Sequence, residues 1–310
     1  MIIFSPTWGQ ATVTAAAVAA VSAGLMYRGQ AVARSGGEAA AQKAGRLTSA
    51  GRFTRETALV LALFALWQFA GSHAFMGPGG ALGRGRWLWH AERVMDWPSE
   101  AWLQHLILPY PYLVQAFNLY YDILHFPVLI ACLIWLFIWH RERYGSFRIT
   151  LVAFTGICLL IQFVPVAPPR LLTGIGMIDT AAKYGQSVYS STAAFQADEL
   201  SAMPSVHVGW AILVAVAVIT VARSRWRWLM LLYPVLTSIA VVVTANHYWL
   251  DGAVAGIILA VVLVAQVVVR RLLTGRSAEP VPEEPVTSKD AVIPYSRSYD
   301  QHVRSGPSGS

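Results

Sequence analysis

Charge is scarce in this sequence. Asp, Glu, Lys and Arg make up 13% of its 310 residues while 56% are hydrophobic, against roughly 25% charged in an average soluble domain. That balance argues against a fold whose main solvent is water. Cysteine is nearly absent: Cys132 and Cys158 both fall inside apolar runs, so they read as buried thiols and give no disulfide framework or redox compartment. Acidic residues are few as well, 16 against 23 Lys and Arg. The cations are dispersed between apolar runs rather than gathered into one stripe, which argues against a nucleic-acid partner. There is no internal repeat. No basic n-region precedes the first apolar run, so a cleaved signal peptide is not expected.

What the chain has instead is long apolar runs. Ala11 to Tyr27 is the first, followed by runs at roughly 56 to 75, 118 to 139, 148 to 164, 207 to 222, 228 to 245 and 252 to 270. Each approaches the ~20 residues that a helix needs to cross the hydrocarbon core. The predicted fold is all-α, a polytopic membrane bundle with an N-terminal anchor (1–28), a basic linker (29–55), a six-helix membrane domain (56–272) and a disordered tail (273–310). Trp87, Trp89, Trp97 and Trp102 crowd one connection, which is expected to lie as a loop on the membrane surface.

Every second connection is basic: Arg28 to Arg55, Arg141 to Arg148, Arg223 to Arg227, and Arg270 with Arg271. By the positive-inside rule these face the cytoplasm. The tail then lies inside, and the connections at 76–117, 166–205 and 244–250 lie outside. A bacterial plasma membrane is the expected location. Arg84, Arg86 and Arg93 interrupt the pattern.

Three polar clusters sit at the ends of runs on that outer side, where ionisable groups are costly to desolvate. In Val164-Pro165-Val166-Ala167-Pro168-Pro169-Arg170 a proline-rich helix exit presents one guanidinium, a fork that suits phosphate oxygens; alone, it reads as a snorkelling arginine. In Met203-Pro204-Ser205-Val206-His207, Ser205 is placed to cap a helix whose first amides form an anion site; alone, this is an ordinary cap. In Asn246-His247-Tyr248-Trp249-Leu250-Asp251, His247 and Asp251 are four apart and share a helical face, so the carboxylate can fix the ring's tautomer; alone, this is a capping ion pair. Together the clusters supply an anion clamp, a proton donor and an oriented nucleophile, enough for phosphoryl transfer without a metal or other cofactor.

At these residues the sequence resembles the type 2 phosphatidic acid phosphatase superfamily, whose motifs run KxxxxxxRP, PSGH and SRxxxxxHxxxD. Arg170 matches the first, Pro204-Ser205-Val206-His207 the second with Val for Gly, and His247 with Asp251 the end of the third. The resemblance implies that His247 is a nucleophile forming phosphohistidine, Asp251 orients it, His207 protonates the leaving group, and Arg170 and Ser205 hold phosphate. Departures fall at Phe163, where the family has Lys, at Leu171, where it has Pro, and at Ala240 and Val241, where it has Ser and Arg. The pattern is more similar to the inositolphosphotransferase branch, including inositol phosphorylceramide synthases, and the His-Tyr-x-x-Asp stretch to sphingomyelin synthases. Asn118 to Pro127 shares that branch resemblance and adds Tyr121 and His125 as candidates, with Tyr248 from the third cluster. The implied partners are a phospholipid or lipid-linked phosphate and the bilayer. The resemblance to that branch implies headgroup transfer, and three other readings stay open: a lipid phosphate phosphatase hydrolysing phosphatidic acid or polyprenyl phosphates, a metal site built from His207, His247 and Asp251, and a lipid or ion transporter, although transporter sites lie nearer the midplane.

Overall fold

The computed structural model describes residues 7–72, 79–186 and 197–276. The chain divides into residues 1–267 and 268–310; every contact below lies within the first. Among the described residues nine helices carry the architecture: α1 (Trp8–Arg34), α2 (Glu38–Ser72), α3 (Ala81–Val94), α4 (Glu100–Ile107), α5 (Pro111–Trp139), α6 (Arg141–Gln162), α7 (Val206–Val221), α8 (Arg225–Val243) and α9 (Trp249–Arg276). Five of these, α1, α5, α6, α8 and α9, are long and apolar enough to cross a membrane, and α7 is a shorter apolar helix. The fold is a polytopic helical bundle.

The expected span at 56 to 75 falls on the second half of α2, which is not among those five, and residues 73–78 lie outside the described set. The stretch from 29 to 55, expected as a linker, is instead helical apart from a turn at Ser35, Gly36 and Gly37. Its cause is a seam of small residues. Ala15, Ser22 and Gly29 on α1 and Ala44, Gly51, Ala58 and Ala65 on α2 are buried, each series spaced by sevens. Small side chains at that repeat let two helices lie nearly backbone to backbone. Ser22 Oγ donates to the Gly51 carbonyl at 2.7 Å, and a Cβ on Gly51 would meet Met26 Cγ at 2.6 Å. Farther along α2, Glu56 accepts from Tyr144 and Arg148 of α6.

The aromatic connection, expected as a loop, is the helical pair α3 and α4. Trp87 and Trp102 are exposed on it, and Trp89 packs inward against a cluster of Leu88, Ala167, Met177 and Tyr248. The main core lies among α5, α6, α7 and α9, with Leu129, Leu136, Phe154, Trp210, Leu213 and Leu259 in contact. Gly209 on α7 is required there, because a Cβ would stand 1.9 Å from the Phe154 ring. α5 is interrupted by a π-helical turn, Tyr120–Leu124. Such a turn admits one extra residue and re-aims the side chains beside it. It brings Tyr121 and His125 into the interior, 8% and 2% exposed. α9 runs on to Arg276, past the expected start of the tail at 273; residues 277–310 lie outside the described set.

Candidate active site

Backbone hydrogen bonds tie the three polar clusters into one structure. Arg170 N donates to the Ala245 carbonyl at 3.0 Å and Ser205 N to the Asp251 carbonyl at 3.2 Å. Ala245 itself turns the chain with φ +58°, which lets the amides of Asn246 and His247 both reach back to the Val241 carbonyl at 3.1 Å. Sequence separation is large, yet the clusters meet at the N-terminal ends of α7 and α9. A cavity of about 30 Å³ lies where they join, lined among others by Tyr121, Arg170, Glu199, His207, Asn246 and His247.

His247 is the most informative of these. It is 4% exposed, and its Nδ1 lies 2.6 Å from the Ala202 carbonyl and 3.4 Å from Asp251 Oδ2. A carbonyl can only accept, so Nδ1 carries the proton and, in the neutral ring, Nε2 holds the lone pair. Nε2 is buried and without a hydrogen-bond partner. Asp251, expected to fix the ring, lies beside Nδ1, and a carbonyl from the second cluster is the closer partner. Asp251, fully buried, also accepts from Tyr248 N at 2.9 Å, the back-reaching contact of a capping box at the start of α9. The capping and orienting readings of this motif therefore coexist in one carboxylate.

His207 stands one residue into α7, after Ser205. Ser205 Oγ accepts from Val208 N at 3.4 Å as the helix cap, and Ser205 is completely buried. The His207 ring lies 5.6 Å from His247, 4.6 Å from Tyr121 and 4.7 Å from His125, centre to centre. His125 packs behind His207 and reaches Tyr233 Oη at 3.5 Å; it does not line the cavity. Tyr248 turns away altogether. Its hydroxyl donates to the Ala167 carbonyl at 2.8 Å against Gly85, and burial pushes its ionisation up so that it remains a donor.

Arg170 rides on a 3-10 turn, Pro169–Leu171, set by the prolines before it. Its Nε donates to Asn246 Oδ1 at 2.9 Å, and its Nη1 meets Glu199 at 3.0 Å and Asp179 at 3.7 Å. Asp122 on α5 adds a third carboxyl within electrostatic range. Sequence reasoning missed these acidic neighbours. Glu199 and Asp179 stand in no motif, and nothing in their surroundings marks them; Asn246 was visible only as the residue before His247.

Phe163 and Val241, which fall where the motifs that the sequence resembles carry Lys and Arg, are apolar. Val241 is 1% exposed and packs with Tyr121 and Val208. The arginines that interrupt the charge pattern are structural braces: Arg84 Nε donates to the Pro165 carbonyl at 2.6 Å, Arg86 to Thr173, and Arg93 to Pro98 and Glu100. Among the described residues no group of three His, Cys, Asp or Glu side chains is arranged to hold a metal ion. Asp251 faces the same Nδ1 that the Ala202 carbonyl takes, so this arrangement orients a ring rather than forming a two-histidine, one-carboxylate face.

Comparison with curated proteins and with solved structures found no match. A family model described as the PAP2 superfamily matches residues 86–266, more than half of the chain and the whole of the site. The chain belongs to the PAP2 superfamily, and so is an enzyme of phosphatase or phosphotransferase type acting on lipid phosphate within a membrane.

Proposed function

We propose that this protein transfers the phosphorylated headgroup of a phosphodiester lipid to an alcohol, through a phosphohistidine on His247, at the extracytoplasmic face of a bacterial plasma membrane. The observation that carries the proposal is the tautomer of His247: Nδ1 is committed to acceptors, and Nε2, partnerless, belongs to a ring that lines the cavity beside Arg170. The Nε2 lone pair attacks phosphorus, the bond to the diacylglycerol oxygen breaks, and His207 gives that oxygen a proton. An acceptor hydroxyl then attacks the phosphohistidine and returns its proton to His207, releasing His247. Water as acceptor would give hydrolysis by the same first step. Arg170 and the capped start of α7 would hold the phosphoryl oxygens.

The choice of diester over monoester rests on charge. Arg170 already faces Glu199 and Asp179, and Phe163 and Val241 stand where relatives in the family carry cations. A phosphate dianion would be poorly neutralised in that setting, and a diester carries one charge fewer. This favours the inositolphosphotransferase-like reading over the simple phosphatases.

The test is a trap. Full-length protein in micelles, given phosphatidylinositol labelled in its headgroup phosphate and quenched in alkali, should hold acid-labile label on His247, and the label should leave when an alcohol is added. His247→Ala should carry none. A labelled His247→Ala protein would remove the histidine from its assigned role.

A further inference from the structure

Behind the site two acidic side chains are buried together. Glu92 on α3 and Glu100 on α4 are each 0% exposed and lie within hydrogen-bonding reach of one another. Glu92 Oε1 accepts from the backbone amide of Leu250 at 2.6 Å. Leu250 lies between Tyr248, whose amide Asp251 holds, and Asp251 itself. Glu100 Oε2 takes Arg93 at 2.8 Å. The remaining oxygens, Glu92 Oε2 and Glu100 Oε1, are buried without a donor from any other side chain. Two carboxylates cannot both stay ionised in contact and out of water, and one proton between them satisfies both orphaned oxygens.

We propose that Glu92 and Glu100 share a proton, and that in this form Glu92 is a positioning residue, holding the first turn of α9 so that Asp251 and the Nδ1 of His247 stay in register. The role rests on the phosphohistidine reading of His247. Glu92 acts through the amide of Leu250 and touches no substrate. The pair is clamped by what packs on it: Arg93 bonds Glu100 from α3, Tyr248 just before α9 and Asp251 in its first turn flank it, and the Pro98 carbonyl between α3 and α4 accepts from both Arg93 and Trp249 Nε1. Burial first, and the Glu100 carboxyl second, push Glu92 from its ordinary 4.5 to about 9. The shared proton is therefore kept below that pH and lost above it. Once it is lost, two buried anions repel where one hydrogen bond had been.

The experiment uses the full chain in micelles and compares rate against pH for the unmodified protein, Glu92→Ala, Glu92→Gln and His247→Ala. Glu92→Ala removes the acceptor of the Leu250 amide. It should lower kcat by about 10- to 100-fold, the scale of a catalytic group displaced by an ångström, with KM little changed. Glutamine reproduces the protonated acid, its carbonyl accepting from Leu250 and its amide donating to Glu100, so Glu92→Gln should recover most of that loss. It should also abolish the alkaline fall that the unmodified enzyme shows as pH rises through about 9. An identical alkaline limb in Glu92→Gln would overturn the inference even if Glu92→Ala failed to fold. Loss of turnover in His247→Ala with normal rates and profiles in both Glu92 variants would overturn the positioning role alone. Normal turnover in His247→Ala would overturn it together with the phosphohistidine reading.

Discussion

A histidine in a buried cluster can serve as nucleophile, acid or packing, and its hydrogen bonds decide which. His247 has Nδ1 on two acceptors and Nε2 on none, the state of a base with its lone pair unspent. His207 differs: it is packed between the rings of Tyr121 and His125, its Nδ1 is unpartnered, and it lines the same cavity. That suits a group that carries a proton to and fro. Such a role has a signature in the leaving group. A lipid alkoxide needs protonation and a nitrophenolate does not, so His207→Ala should cost about 10²- to 10⁴-fold on a lipid donor and far less on a nitrophenyl phosphodiester. Phosphoenzyme formation from the nitrophenyl ester should survive. Equal losses on both donors would place His207 with the nucleophile instead.

At the scale of elements, the sequence was legible where hydrophobicity changes sharply and illegible where small residues do the packing. The spans of α5 to α9 were visible because Leu, Ile, Val and Phe run unbroken to a proline or a polar cluster. α1 was visible as the first apolar run, but its pairing with α2 was not, because the seam is Ala, Gly and Ser every seventh residue, which reads as a linker when apolar content is the only signal. The π turn at Tyr120–Leu124 and the left-handed Ala245 were equally silent, since neither has Gly or Pro to announce it. The three polar clusters were legible because each joins a helix terminus to an ionisable group. Glu92, Glu199 and Asp179 were not, being single acids whose partners lie far away in the chain. The orientation of the bundle is a prediction at this scale. α7 has 16 residues and so is roughly 24 Å long, with Ser205 at one end and Ser224 just beyond the other. Thr173 and Ser224 are both exposed, and the native Cys132 and Cys158 are buried. Cysteine introduced at Thr173 should react with an impermeant maleimide on intact cells, and cysteine at Ser224 only after lysis. Labelling of both before lysis would refute the arrangement.

For the whole molecule the decisive quantity is the charge that the site can accept. Val241→Arg, which would restore a cation at the family's position, would bury a guanidinium in a slot 1% exposed beneath Tyr121, and its effect would be dominated by the cost of that burial. Glu199 offers a cleaner lever. It is a third exposed in its side chain, bonds Arg170 at 3.0 Å and lines the cavity, so Glu199→Gln removes one negative charge without disturbing the core. If the donor is a diester, the unmodified protein should show a higher kcat/KM on phosphatidylinositol than on phosphatidic acid in matched micelles. Freeing Arg170 from its carboxylate should then favour the dianion selectively. A charge-assisted hydrogen bond is worth about 1.5 to 3 kcal/mol, and 1.4 kcal/mol is about tenfold, so Glu199→Gln should narrow the preference by about tenfold or more, chiefly by raising the monoester rate. Better turnover of phosphatidic acid by the unmodified protein would refute the diester assignment. An unchanged ratio in Glu199→Gln would show that the carboxylates around Arg170 do not set the charge of the substrate, and that the selection must lie in the shape of the cavity between Tyr121, Asn246 and His247.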